Sequence, residues 1–330
     1  MAYQPAVNTT LSPGMTQLAT VYYKKVGLTA LRAKLRFHGA MMPDDIPLRS
    51  GKTAQWWRPV VLTYDTTPAA EGVVGVGIPL TATTYTGTVS EYANFTSVST
   101  LLLETAINNM IEMACKEMSY MAALTVDTID RLSIEGAGAT IQTPIGSYLS
   151  LNDVRKQAKL LEGLNVPPLN GGPDYYWITS PWNVYDIQTD STAGGFLDVS
   201  KYTSNVGMSG TLSGAEAFPG EVGKAAGARI VSTSVVGTDG VAAPNTKYYN
   251  YIVGEGAFGG LALMGRGPSD IIDPEKQTFK LNVIAGGPSP ADPPGEIGTY
   301  IAYRFVYAAV SLNDSSAYRY AIVKADSSII

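Results

Sequence analysis

The 330-residue sequence predicts an α+β fold with two segments that reach out of its core. Three observations point that way. Aromatic and β-branched runs at residues 55–64 and 83–98 flank a Gly-rich connection, as in a long hairpin. Residues 100–135 hold no Gly or Pro and repeat apolar positions at helical spacing. From residue 137 onward, short strands and capped helices alternate between Gly- and Pro-rich turns. At 45% hydrophobic residues the chain can bury a core of domain size.

Residues 16–36 carry a helical spacing broken at Gly27, and Pro43 and Pro47 follow, so the start reads as an arm. The first 43 residues contain no Asp or Glu, yet hold Lys24, Lys25, Arg32, Lys34 and Arg36. The whole chain has a net charge of -5, which argues against a nucleic-acid binder. A basic arm ahead of an acidic body suits contact with an acidic surface on a neighbouring molecule.

In the ribbon, QWWRPVVLTY and TTYTGTVSEYANFTSV are joined through EGVVGVGIPL. Tyr85, Val89 and Phe95 share one face, and Thr84, Thr86, Thr88 and Tyr92 the other, so neither face is simply wet and the ribbon needs a partner. The following helix carries Leu103, Ile107, Met110, Ala114, Met118, Met121, Ile129 and Leu132 as its apolar stripe. Glu112 with Lys116 and Asp127 with Arg131 are read as i,i+4 pairs on its outer face, and Gly136 as its stop. One helix over 100–135 would reach on the order of 50 Å at 1.5 Å per residue, a spine longer than a single core requires.

Ser150 and Asp153 form a capping box for a second helix that Pro167 and Pro168 end. DYYWITS reads as a strand leading to Ser180 as N-cap with Pro181 at the first helical position. ARIVSTSVV follows a tight turn as another strand, IGTYIAYRFVYAAVSL is apolar on both faces as a central strand would be, and AYRYAIV is the last strand.

Chemistry-bearing residues are scarce. One histidine, His38, and one cysteine, Cys115, leave metal sites, Cys-His dyads and an internal disulfide framework poorly supplied; both residues read as structural. YIVGEGAFGG places Gly254, Gly256 and Gly259 in the spacing G-x-G-x-x-G. A dinucleotide site would need a helix after the third glycine and an acidic residue about 20 positions on, where Phe279 stands. A turn between two strands accounts for the motif better. No catalytic, cofactor-binding or metal residue is nominated, and no cofactor is expected. No run of 18 apolar residues could span a bilayer and the start lacks a signal-peptide pattern, so a soluble chain made in the cytosol is expected.

The order of elements resembles the major capsid proteins of tailed bacteriophages with the Hong Kong 97-type fold, and more closely the capsid protein family of the N4-like phages. The residues that carry the likeness are YYKK at 22–25, AEG at 70–72, TGTVSEYANF at 86–95, TVDTIDR at 125–131, LNDVRKQAKLLEGLNVPP, ITSPWNVYDI, FPGEVGKAAGARIVST and YRFVYAAVSLND, in that order.

The resemblance implies an N-terminal arm (1–54), an extended hairpin loop (55–98), the spine helix of a peripheral domain (99–136), an axial α/β domain with its connections (137–295) and C-terminal strands of the peripheral domain (296–330). It implies self-assembly of one chain as hexamers and pentamers into an icosahedral shell around packaged phage DNA. Portal, scaffold and decoration proteins would be partners, and the virion its place after assembly in the host cytoplasm. Tyr22, Tyr23, Lys24, Lys25, Trp56, Trp57, Arg58, Glu71, Gly72, Tyr85 and Tyr92 are then expected at contacts between subunits, with Lys24, Lys25, Arg58 and Glu71 bonding between chains rather than within one. The alternatives are an encapsulin-type compartment, which shares the fold but encloses protein cargo, and a nucleotide-dependent oxidoreductase.

Overall fold

The computed structural model describes residues 35–60, 62, 66, 68, 72, 77–105, 109–136, 140–142, 148–169, 172–190, 221–241, 246–263, 282–284, 298–313 and 318–329. In chain order the strands are β1 (Met42–Ile46), β2 (Thr53–Pro59), β3 (Ala82–Thr88), β4 (Ser90–Ser99), β5 (Thr140–Gln142), β6 (Tyr175–Thr179) and β7 (Glu221–Ala225). They continue with β8 (Ala228–Ser232), β9 (Tyr248–Val253), β10 (Phe258–Leu263), β11 (Asn282–Ile284), β12 (Gly298–Ser311) and β13 (Tyr320–Ala325). The helices are α1 (Thr100–Thr105), α2 (Met110–Glu135), α3 (Leu151–Gly163) and α4 (Pro181–Thr189).

Two sheets form the body. In the first, the 14-residue β12 is central: β4 pairs antiparallel along one edge over residues 298–307, and β10 and β11 share the other, with β1 parallel outside β10. Alternation along β12 sends Ile301, Tyr303, Phe305 and Tyr307 into the core beneath α2, against Cys115, Met118, Ala122 and Val126. Val306 faces the opposite side with Ile46, Val89 and Leu261. Both faces are therefore apolar, as the sequence of this strand predicts.

The second sheet runs β5-β13-β9-β6-β8-β7. All five residues of β6 are buried. Trp177 with Ile230, Ile252 and Val323 packs under α3 and α4, while Tyr176, Ile178, Tyr251 and Ile322 meet Phe37, Ile134 and Phe258 on the other face. The capping box forms: Ser150 Oγ accepts from Asp153 N–H, and Ser150 N–H donates to Asp153 Oδ2 at 3.1 Å. Ser180 caps α4, with Pro181 at its start. The tight turn between β7 and β8 uses Ala226 and Gly227, both at positive φ, as a two-residue hairpin with right-handed strand twist prefers.

Four readings of the sequence are corrected. The ribbon does not extend over 55–98: β2 pairs with β3, whereas β4 leaves it to pair with β12. The spine is not described as one helix over 100–135. α2 begins after Asn109, whose side-chain oxygen accepts from Glu112 N–H, and spans 26 residues, about 39 Å. Leu132 is exposed, and Asp127 and Asp130 are buried where the helix turns polar groups inward. The two closing strands, read from the element order as a returning pair, lie in different sheets, β12 in the first and β13 in the second.

Candidate assembly surface

The hairpin β2/β3 is seated on the outer face of its own first sheet. Residues of β2 alternate: Thr53, Gln55, Trp57 and Pro59 are exposed, while Ala54, Trp56 and Arg58 turn inward. The indole of Trp56 lies over two glycines. A Cβ on Gly87 would sit 3.0 Å from that ring and 2.8 Å from Val310, and one on Gly259 would sit 3.0 Å from the ring. Only a backbone without a side chain lets the ring approach so closely. Two residues along, the Arg58 guanidinium donates through Nη2 to the Gly256 carbonyl at 2.8 Å and through Nη1 to the Leu312 carbonyl. It also lies 5.6 Å from the centre of the Tyr85 ring, a cation–π distance.

This placement accounts for the glycine motif. Gly254 to Ala257 turn the chain out of the second sheet and into the first. A Cβ on Gly254 would meet Val166 at 2.5 Å, and Gly256 has φ +66°. Gly259 makes room for Trp56. Gly254 and Gly256 shape the turn between two strands, as read from the sequence, and Gly259 lies within β10.

The predicted contact residues divide into three groups. Tyr22, Tyr23, Lys24, Lys25 and Glu71 lie outside the described residues. Trp57, 70% exposed, faces outward, and Gly72 is exposed at φ +79°. Trp56, Arg58, Tyr85 and Tyr92 turn toward their own chain. Tyr92 stacks on Phe305 with ring centres 5.5 Å apart. Arg58, expected to bond between chains rather than within one, does bond within its own chain through these two carbonyls. Alternation along β2 could have found this, since Trp56 and Arg58 share parity and Trp57 does not.

Beyond Pro59 the described hairpin residues include an uncovered apolar set: Val60, Leu62, Ile78 and Leu80 are all exposed, Leu80 at 73%. Phe95, 66% exposed, adds a further aromatic on β4, its ring 6.5 Å from that of Tyr300. Neither Leu80 nor Phe95 was singled out from the sequence as a contact residue. An apolar run within a strand looks the same whether it is covered or open.

A buried polar junction ties the segment before β1 to α2. Arg36 N–H donates to Asp127 Oδ1 and Oδ2 at 2.9 and 3.0 Å, and Phe37 N–H donates to Oδ1 at 3.2 Å. The Arg36 carbonyl accepts from Tyr176 Oη at 3.1 Å. Tyr307 Oη donates to Asp130 Oδ1 at 2.5 Å, and His38 Nδ1 lies 3.4 Å from Asp130 Oδ2. Burial pushes the Asp127 carboxyl up to about 7, against the opposing pull of the Arg36 N–H, with the Asp130 charge adding to the rise. Burial and the Asp130 charge likewise hold the Tyr307 phenol well above its usual range. The expected outer pair of Asp127 with Arg131 is absent; Arg131 Nε instead lies 3.6 Å from Glu135. Among the described residues no group of three His, Cys, Asp or Glu side chains could hold a metal ion, and no helix is long and apolar enough to cross a membrane.

No family model matches the sequence, and no curated protein matches it either. Solved structures do match by fold. The capsid of Ralstonia phage GP4 aligns with a TM-score of 0.67 at 12% identity, covering 90% of this chain and 92% of that one. The head structure of Helicobacter pylori bacteriophage KHP40 gives 0.63 at 9% identity, covering 90% and 92%. The capsid of the cyanophage P-SCSP1u gives 0.57 at 15% identity, covering 89% of each. At these identities the likeness is one of fold, and it spans nearly the whole of both chains. The chain has the α+β fold of phage capsid proteins.

Proposed function

We propose that this chain is the major capsid protein of a tailed phage and self-assembles as hexamers and pentamers into the icosahedral shell around packaged double-stranded DNA. One observation carries the reading: a capsid fold matched over about nine tenths of each chain, which here leaves the apolar end of its hairpin uncovered. Exposed apolar area of this kind marks a surface that another molecule covers. In a shell of one chain that molecule is a second copy.

On this reading the protein is structural rather than enzymatic, resides in the virion after assembly in the host cytoplasm, and meets portal, scaffold and decoration proteins besides its own copies. DNA is enclosed without sequence-specific contact, in keeping with the net charge of -5. The ordered motifs from YYKK to YRFVYAAVSLND support the N4-like family and the Hong Kong 97-type subtype. The hairpin end would lie on an adjacent subunit and the arm beneath a neighbour, with Lys24, Lys25 and Glu71 at those contacts.

Electron microscopy of the expressed chain tests the reading. Closed, uniform particles built of six- and fivefold capsomers are expected, and particles from infected cells should contain double-stranded DNA. A chain that stays monomeric with and without its phage partners would overturn the proposal. Protein cargo in place of DNA would point to an encapsulin-type compartment instead.

A further inference from the structure

We infer that Trp56 and Arg58 form a latch that fixes the direction in which the hairpin leaves its own subunit and so sets the spacing between neighbouring copies; the spacing clause rests on the shell reading. Two independent contacts hold the base of the ribbon. Trp56 is seated over Gly87 of its partner strand β3 and Gly259 of the sheet below, where added side chains would collide with the ring. Arg58 joins β2 to two separate pieces of the body, the carbonyl of Gly256 in the β9–β10 turn and that of Leu312 just past β12. Leu312 N–H in turn donates to the Ala257 carbonyl at 2.9 Å, so the two anchor points are themselves tied together.

Among the described residues these contacts fall on β2 and β3. Inward residues of β2 are latched, whereas Val60, Leu62, Ile78 and Leu80 beyond it are exposed. A ribbon held at one end acts as a lever, because any tilt at the base is multiplied along extended chain. A planar guanidinium bonded to two carbonyls fixes an angle that a single-point contact would leave free.

The test uses the full chain with Arg58→Lys and Trp56→Ala. Arg58→Lys keeps the charge and loses the two-carbonyl fork, which guards against a folding failure in the tryptophan variant. Hydrogen exchange on unassembled protein follows residues 53–59 and 82–88, with the buried strand 175–179 as internal reference. Exchange in the hairpin should rise about tenfold in Arg58→Lys, as loss of a charged hydrogen bond implies, while the reference strand is unchanged. Particles of both variants should then spread in diameter where the parent's are uniform. Unchanged hairpin exchange in both variants would overturn the latch. Faster exchange with uniform particles would overturn its role in spacing. If the parent itself forms no particles, the shell reading fails and the latch is judged on exchange alone.

Discussion

Asp127 is a carboxyl on a helix face that spacing alone assigns to solvent, and it is fully buried. It stays there because it accepts the backbone N–H groups of Arg36 and Phe37, donors that would otherwise be orphaned at this junction. With its pKa raised to about 7, the stability it contributes is fully present below its ordinary value near 3.8. That contribution falls as pH rises toward 7, because the unfolded chain has already lost the proton that the folded chain keeps. The charged and titratable groups around it are Asp130, His38, Tyr176, Tyr307 and Arg36. Asp127→Asn should remove this dependence. Urea midpoints of parent and variant between pH 4.5 and 7.5 should diverge by an amount worth about 3 kcal/mol. Parallel curves would show that the carboxyl carries no such load. Cys115 is a simpler case, legible from its neighbours as a core residue: it is fully buried, and burial lifts its thiol to about 11.

At the scale of elements, the hairpin and the long helix show what periodicity can and cannot tell. The period-2 pattern identifies β2, β3 and β4 as strands, but not that Ser90 begins a second partnership. Pairing is decided by the side chains of β12, whose Gly298 meets Ser99 from far along the chain, not by the ribbon itself. Of the predicted contact residues, Trp57 remains outward and Trp56, Arg58, Tyr85 and Tyr92 are held by their own chain. Replacing Trp57 and Leu80 together by Ser removes almost no intrachain contact. Stability should therefore change by no more than about 0.5 kcal/mol for each, while particle yield falls sharply. Thermal unfolding and particle counts by microscopy measure the two effects separately. A large loss of melting temperature would mean these side chains serve the isolated fold.

For the molecule as a whole, two short crossings lie side by side between the sheets: β9 to β10 through Gly254–Ala257, and β12 to β13 across residues 312–319. Gly254 N–H donates to Arg319 O at 2.9 Å, and Glu255 N–H donates to Pro167 O at 2.9 Å, so one crossing braces the other and the first also meets the segment that follows α3. Gly254→Ala would press a methyl against Val166 and the Pro167 carbonyl. Overpacking there should cost about 1–3 kcal/mol. Circular dichroism and tryptophan fluorescence should shift together, since Trp56 reports one sheet and Trp177 the other. Separate transitions would mean that the sheets unfold independently.

Local sequence was enough for the α+β class, the helix caps at Ser150 and Ser180, the strand that carries Trp177 and the role of the glycine motif as a turn. Each depends on neighbours within a few residues, where local sterics and hydrogen bonding act. Only the tertiary structure decided which strands pair, that β12 and β13 part company, that Asp127 turns inward, and that Trp56 is latched while Trp57 is open. These outcomes depend on groups brought together from distant positions, such as Gly259 beneath residue 56 and Arg36 beside residue 127, and no local pattern encodes that meeting.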